Sequence, residues 1–214
     1  MRFGRRRREP AAEALRPLLY GDVPMADWPP GGTAADAEPW GAFVRAREAY
    51  AAGRRDEAVR DWLGIARTPG AESRCVLQAW TFLRAAGVDP APDEATVVHG
   101  VVLEVPVDGG NDVLAAYRDG SARYLNHSGR AAVVEEQWQE TFEVVWAAAP
   151  LGERIGLWDA PELPPLGEGE ARMLLLTPGG FRFGQGLRDP LFADPTAAPV
   201  VTAALRLLGR IAHA

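Results

Sequence analysis

Near residue 93 the hydrophobic period of this chain changes from three or four to two, and that switch constrains the fold more than any other feature. Before it, apolar residues recur at helical spacing: Phe43, Ala46 and Tyr50, then Ala58, Trp62 and Ile65, then Val76, Ala79, Trp80 and Leu83. After it, TVVHGVVLEVPV (96–107) alternates, with Val97, His99, Val101, Leu103 and Val105 on one face. Val98, Gly100 and Val102 line the other face, and a strand apolar on both sides predicts a central place in a sheet. Further strands are predicted over 113–118, 121–126 and 130–134. A helix carrying Trp138, Phe142, Val145 and Ala149 follows, then a hairpin of ARMLLLT and FRFGQGL, and a last helix from about Thr196 that buries Val201, Leu205, Leu208 and Ile211. The expected class is α+β: a three-helix segment, then an antiparallel sheet with two helices on one side. Profilin-like and roadblock-like sandwiches share that layout by analogy alone, and fold carries no function.

The expected division is a tail and extended segment over 1–36, a helical part over 37–92 and an α+β part over 93–214. In the first, a short helix is expected over Pro10–Leu19, and Leu18, Leu19, Tyr20 and Trp28 are expected to lie along the folded body. In the second, Gly53 suits the residue closing one helix, Asp56 is placed to cap the next, and Gly87 ends the third. Ala46, Tyr50, Gly53, Ala58, Trp62 and Pro69 resemble the small, aromatic and proline positions of a tetratricopeptide unit, although Arg45 and Ala46 stand where its leucine-glycine pair belongs. About one and a half units fit, fewer than a solenoid needs, which implies a lone helical hairpin packed on the rest.

The stretch AYRDGSARYLNHSG (116–129) gathers an acid, a histidine and two serines. An Asp-Gly pair between β-formers predicts a two-residue hairpin turn at Asp119-Gly120. That pairs Tyr117 with Ala122, Ala115 with Tyr124 and Leu114 with Leu125, and puts both tyrosines on one apolar face. Asp119 then lies roughly 20 Å from His127, too far for a triad. Asn126, Ser128 and Gly129 read as turn formers. At Pro178-Gly179-Gly180, a type II turn with Gly179 at its second corner is expected.

Composition narrows the function classes. All 23 basic residues are arginine, consistent with a GC-rich bacterial genome. The net charge is −6, and setting aside Arg2, Arg5, Arg6, Arg7 and Arg8 leaves −11. An acidic body argues against a broad nucleic-acid surface, so any such contact is expected only through Arg5, Arg6, Arg7 and Arg8. No apolar run reaches the roughly 20 residues of a membrane span, and the basic start lacks an apolar segment behind it. One cysteine, Cys75, fits a reducing, cytoplasmic setting.

No cofactor, metal or catalytic residue is expected. His99 reads as a core or interface histidine with one satisfied nitrogen, and Cys75 as a small buried filler. Asp108, Asn111 and Asp112 flank two glycines in a loop that lacks an EF-hand's alternation. GGFRFGQG (179–186) lacks a P-loop lysine, so its glycines are assigned to a turn and an edge strand. Arg118, Arg123, Arg172 and Arg182 are candidates to gather on one side of the sheet around an anion. The residues retained as a weak ligand or partner surface are Asp108, Asn111, Asp112, Arg123, His127 and Arg182.

YRDGSARYLNHSG, LTPGGFRFGQG and ESRCVLQAWTFLRAAG together resemble a group of uncharacterised bacterial proteins over roughly residues 38–214. The resemblance implies a stable two-part fold and no known activity. The leading expectation is a non-enzymatic interaction or adaptor protein that binds another protein or itself. The alternative is a small-molecule or anion-binding protein, or a hydrolase, using the Asp108–Asp112 loop and the sheet arginines.

Overall fold

A computed structural model describes residues 18–29, 37–108, 110–158 and 163–213. The arginine run and most of the helix expected over Pro10–Leu19 lie outside the described residues. After a segment that holds a 3-10 turn at Met25–Asp27 come three helices, α1 (Trp40–Ala51), α2 (Arg55–Ala66) and α3 (Ser73–Ala85), followed by the single turn α4 (Pro92–Ala95). A meander follows, of β1 (Gly100–Val107), β2 (Gly110–Tyr117), β3 (Ala122–Leu125) and β4 (Ala131–Val134). Then come α5 (Gln139–Ala148), β5 (Glu170–Thr177), β6 (Gly180–Leu187), α6 (Arg188–Ala193) and α7 (Ala198–His213). The fold class is α+β. The six strands run in the order β4-β3-β2-β1-β5-β6, every neighbour antiparallel, with β1 central as its two apolar faces require.

Helices cover both faces of the sheet, not one. Val101, Leu103, Leu114, Ala116, Ala122, Met173 and Leu175 pack under α5 and α7, against Val144, Val145, Val201 and Leu207. Val102, Val113, Ala115, Tyr117, Leu125, Leu174 and Leu176 pack on the opposite side against Leu77 of α3 and the segment Leu19-Tyr20. A third cluster joins α1, α2 and the far side of α3 through Phe43, Trp62, Trp80 and Phe82, with Trp28 against them. Most residues of α3 are buried, the polar Ser73 and Gln78 among them, so it is an interior helix between hairpin and sheet.

Local expectations failed where a side chain found a different partner. Asp56 does not cap α2; it lies in the first turn, where its charge favours the helix dipole, and it makes a loose ion pair with Arg55. The first β-strand begins at Gly100, and Thr96 belongs to the end of α4. Leu205 is exposed, because α7 turns Val200, Val201, Ala203, Ala204 and Leu207 inward. The β5–β6 loop is Pro178-Gly179, but the positive φ falls at Gly180 (123°), which excludes a type II turn.

The largest correction is the β2–β3 hairpin. Leu114 pairs with Tyr124, Ala115 with Arg123 and Ala116 with Ala122, one residue out of the expected register. Only Gly120 takes positive φ (89°), so the loop spans Arg118, Asp119 and Gly120 instead of a primed two-residue turn. Asp119 instead spends its carboxylate on Ser121 N–H (2.9 Å) and Oγ (2.7 Å), and on the Ser73 N–H at the start of α3 (2.7 Å). A one-residue slip exchanges faces, so Tyr117 and Tyr124 lie on opposite sides of the sheet.

On the α3 side, Glu104 and Arg172 face each other across β1 and β5, both essentially unexposed, at 3.5 Å. Tyr20 Oη donates to Glu104 Oε1 (2.5 Å), and Arg172 also donates to Gln185 (2.9 Å) and to the Pro164 carbonyl. Breaking one partner of a buried pair strands the other's charge. Arg172→Ala is expected to cost about 3–5 kcal/mol in urea unfolding. A Glu104→Leu/Arg172→Met double variant is expected to recover most of that loss.

Nearby, burial pushes the Asp22 carboxyl up to about 6, against the pull of its own backbone N–H and of Arg84. Its Oδ1 has no hydrogen-bond partner among the described residues. In the unfolded chain this group titrates near 4, so stability falls as the pH rises from about 4 through 6. Asp22→Asn is expected to leave stability unchanged below about pH 4 and to raise it, by at most about 3 kcal/mol, at pH 7.5. Thermal melts at the two pH values measure the difference.

Candidate functional site

At the end of the sheet where β1 turns into β2, the structure brings together two of the residues singled out from sequence, Asp112 and His127. The observed register sets Asp112 and Tyr124 diagonally on the same face of β2 and β3. Tyr124 Oη donates to Asp112 Oδ2, while Asp112 Oδ1 accepts the His127 N–H (2.9 Å) and meets its Nδ1 (3.0 Å). Partial burial acts to raise the Asp112 carboxyl, but these donors from Tyr124 and His127 outweigh it and hold the group below the usual carboxylate range. The Tyr124 hydroxyl is correspondingly raised by burial and by the carboxylate it bonds.

Asp112 orients the imidazole by its contact with Nδ1, on a residue that is otherwise exposed. The next residue does not supply a nucleophile. Ser128 Oγ donates to Asn126 Oδ1 (2.9 Å), which also accepts the Ser128 and Arg130 N–H groups, so Asn126, Ser128 and Gly129 build the turn.

Asp112 and Tyr124 form one wall of an apolar notch of about 80 Å³. Its other walls are Leu103, Val105 and Val107 of β1, Leu114 of β2, and Ala204, Leu205 and Leu208 of α7. Small-molecule sites occupy roughly 300–1,000 Å³, so this notch suits the tip of one side chain. Beyond Val107 lies a broader depression of about 870 Å³, where Pro106 and Leu187 meet Asp108, Glu168, Arg188 and Asp189. Arg188 is paired with Asp189 at 2.8 Å, so the depression is acidic in balance and ill suited to an anion. Val107 is 37% exposed, Leu205 50% and Leu187 59%, which leaves three large apolar side chains in water around the notch and the depression.

The remaining candidates do not converge. Asp108 is exposed at the β1–β2 tip, and Asn111 points to the opposite face of β2 from Asp112. Arg123 is buried on the α3 side, bound to Glu135 (2.7 Å) and to the Ala122 and Val134 carbonyls. Arg182 faces the other way from β6 and donates to the Ile155 carbonyl (2.6 Å). Arg172 is held by Glu104 and Arg118 lies in the hairpin loop, so the four arginines do not gather. Burial pulls the His99 ring down to about 4, with Arg118 adding to the effect, and no hydrogen bond reaches the ring among the described residues, contrary to the satisfied nitrogen expected. Cys75 is buried, and burial raises its thiol. Among the described residues, no three His, Cys, Asp or Glu side chains lie together as a metal site.

Sequence reading missed Glu104 and Tyr124. A lone carboxylate inside VVLEVPV signalled the buried pair, whereas Tyr124 became visible only with the true register. No family model, curated protein or solved structure matches the chain, so the site rests on its own geometry.

Because its carboxyl is held low in the folded state, Asp112 contributes stability that is present above about pH 4 and lost as the pH falls through the folded value. Asp112→Asn is expected to be less stable than the parent at pH 7, by about 1–3 kcal/mol. That gap should close on acidification, as read from urea midpoints at pH 7 and pH 3.

Proposed function

We propose that the protein is a non-enzymatic interaction or adaptor protein, binding another protein through the surface around Val107, Leu187 and Leu205. The observation that carries this reading is the size of the notch. An opening of about 80 Å³, apolar within and edged by the Asp112–Tyr124–His127 cluster, accepts one partner side chain while the exposed leucines around it exclude water. Among the described residues no helix is long and apolar enough to cross a membrane. A cytoplasmic setting agrees with a single, buried cysteine.

The alternative, a small-molecule or anion-binding protein or a hydrolase, draws support from the oriented Asp112–His127 pair alone. It requires a pocket with convergent polar groups, and Arg123, Arg172 and Arg182 are instead bound to carbonyls and carboxylates of the fold.

Affinity capture from an extract of the native organism tests the two readings. The parent chain is expected to retain a defined partner. Leu205→Asp, which puts a charge at the lip of the notch, is expected to weaken capture at least tenfold without altering the fold. Trp146→Ala, on α5 and exposed beside Pro199 and Thr202 of α7, is expected to leave it unchanged. Equal capture by the parent and Leu205→Asp sinks the assignment. A small molecule that stabilises the parent but not His127→Gln favours the alternative.

A further inference from the structure

Residues Leu18–Trp28 cross the sheet and α3 as a strap, and much of what holds them reads their main chain. Gln78, fully buried in α3, accepts the Val23 N–H on Oε1 (3.0 Å) and donates from Nε2 to the Val23 carbonyl (2.9 Å). This is the two-bond pattern by which a strand residue meets its partner. The Tyr117 hydroxyl donates to the Leu19 carbonyl (2.8 Å) and Thr81 Oγ1 to the Gly21 carbonyl (2.8 Å). Side chains add selectivity: Tyr20 reaches Glu104 and meets Phe181 edge-on, and Trp28 packs on Trp40 and Phe43. Gly21 has φ of 68°, and a Cβ there would lie 2.7 Å from Leu77 Cβ, so that position admits only glycine.

Main-chain bonds, pockets for side chains and one position restricted to glycine are the components of a peptide-recognition groove. Each of these contacts joins the strap to α1, α3 or the sheet, and none requires the strap to belong to the same molecule. Between the strap and α1 the sequence from 30 to 36 reads PGGTAAD, with no large apolar residue.

We propose that this groove is an exchange site, accepting residues 18–28 of a second copy of the chain in place of its own and so forming a reciprocal dimer. The occupant is argued from the bonds themselves: the sequence seated in the groove is carried by every copy, and a reciprocal exchange remakes every bond. What exchange costs is association entropy, which protein concentration offsets. The intramolecular strap has an effective concentration on the order of millimolar, so the parent chain is mainly monomeric at micromolar concentration. Asp22 lies inside the strap, and its buried carboxylate loosens the hold at neutral pH. The exchange surface is separate from the one around Leu205, so each reading can fail alone.

The test mixes two full-length variants that cannot close their own groove. Gln78→Ala keeps an intact strap but lacks the groove's main-chain reader, and Gly21→Ala keeps an intact groove but carries a strap that clashes with Leu77. Each alone is expected to run as a monomer in light scattering. An equimolar mixture at tens of micromolar is expected to yield a species of twice the mass. A mixture that stays monomeric, with both variants retaining the parent's circular dichroism, overturns the proposal. If Gly21→Ala does not fold, Tyr20→Ala serves as the strap-defective chain. A synthetic peptide of residues 18–28 that binds Gly21→Ala while the mixture stays monomeric also overturns exchange.

Discussion

An antiparallel sheet whose central strands are apolar on both faces must be covered twice, and most of this structure follows from that requirement. Val101 and Leu103 on one side, and Val102, Leu174 and Leu176 on the other, all lose water only because helical layers lie above and below. The C-terminal helices α5 and α7 cover the first face. The second is covered by α3 together with the strap, and α3 can serve there because its polar side chains Gln78, Thr81 and Arg84 find partners in the strap and the β5–β6 loop. The α1–α2 hairpin then packs on what remains of α3. Each layer exists to bury the one beneath it.

The polar groups that tie the layers together are matched. Glu104 meets Arg172 and Tyr20, Gln78 meets Val23, and Asp119 ties the hairpin loop to the first turn of α3. Such groups are costly to bury singly and specific when paired. They fix where the N-terminal layer sits, and apolar contact alone would not select one placement. Asp22 Oδ1 is unmatched, in the very segment whose docking is proposed to be exchangeable, and so among the described residues are the indole N–H groups of Trp28, Trp62 and Trp80, Thr141 Oγ1 and Arg182 Nε.

The hairpin register has functional consequences. A slip of one residue would have sent Tyr124 to the α3 side, away from Asp112, and the polar edge of the notch would not exist. Tyr117 owes its place under the strap to the β1–β2 pairing, which sets it opposite Gly100, and its hydroxyl holds Leu19. The notch therefore depends on one loop of three residues, in which Gly120 alone takes positive φ. A Cβ there would lie 2.7 Å from Phe142 of α5.

The sequence by itself determined the α+β class, the helices closed at Gly53 and Gly87, the central place of β1, the turn roles of Asn126, Ser128 and Gly129, and the burial of Leu19, Tyr20 and Trp28. These follow from local period, turn chemistry and hydrophobicity, each of which acts within a few residues. It named Asp112 and His127 separately, but their pairing spans fifteen positions and needs the register. Only the tertiary structure decided the register, the covering of the second face, the scattering of the sheet arginines and the exposure of Leu205. Those outcomes depend on competition between distant partners: Asp119 chooses Ser73 and Ser121 over a primed turn, and α7 chooses which stripe to bury. No local pattern records such a choice, because the energies being compared arise only when the layers meet.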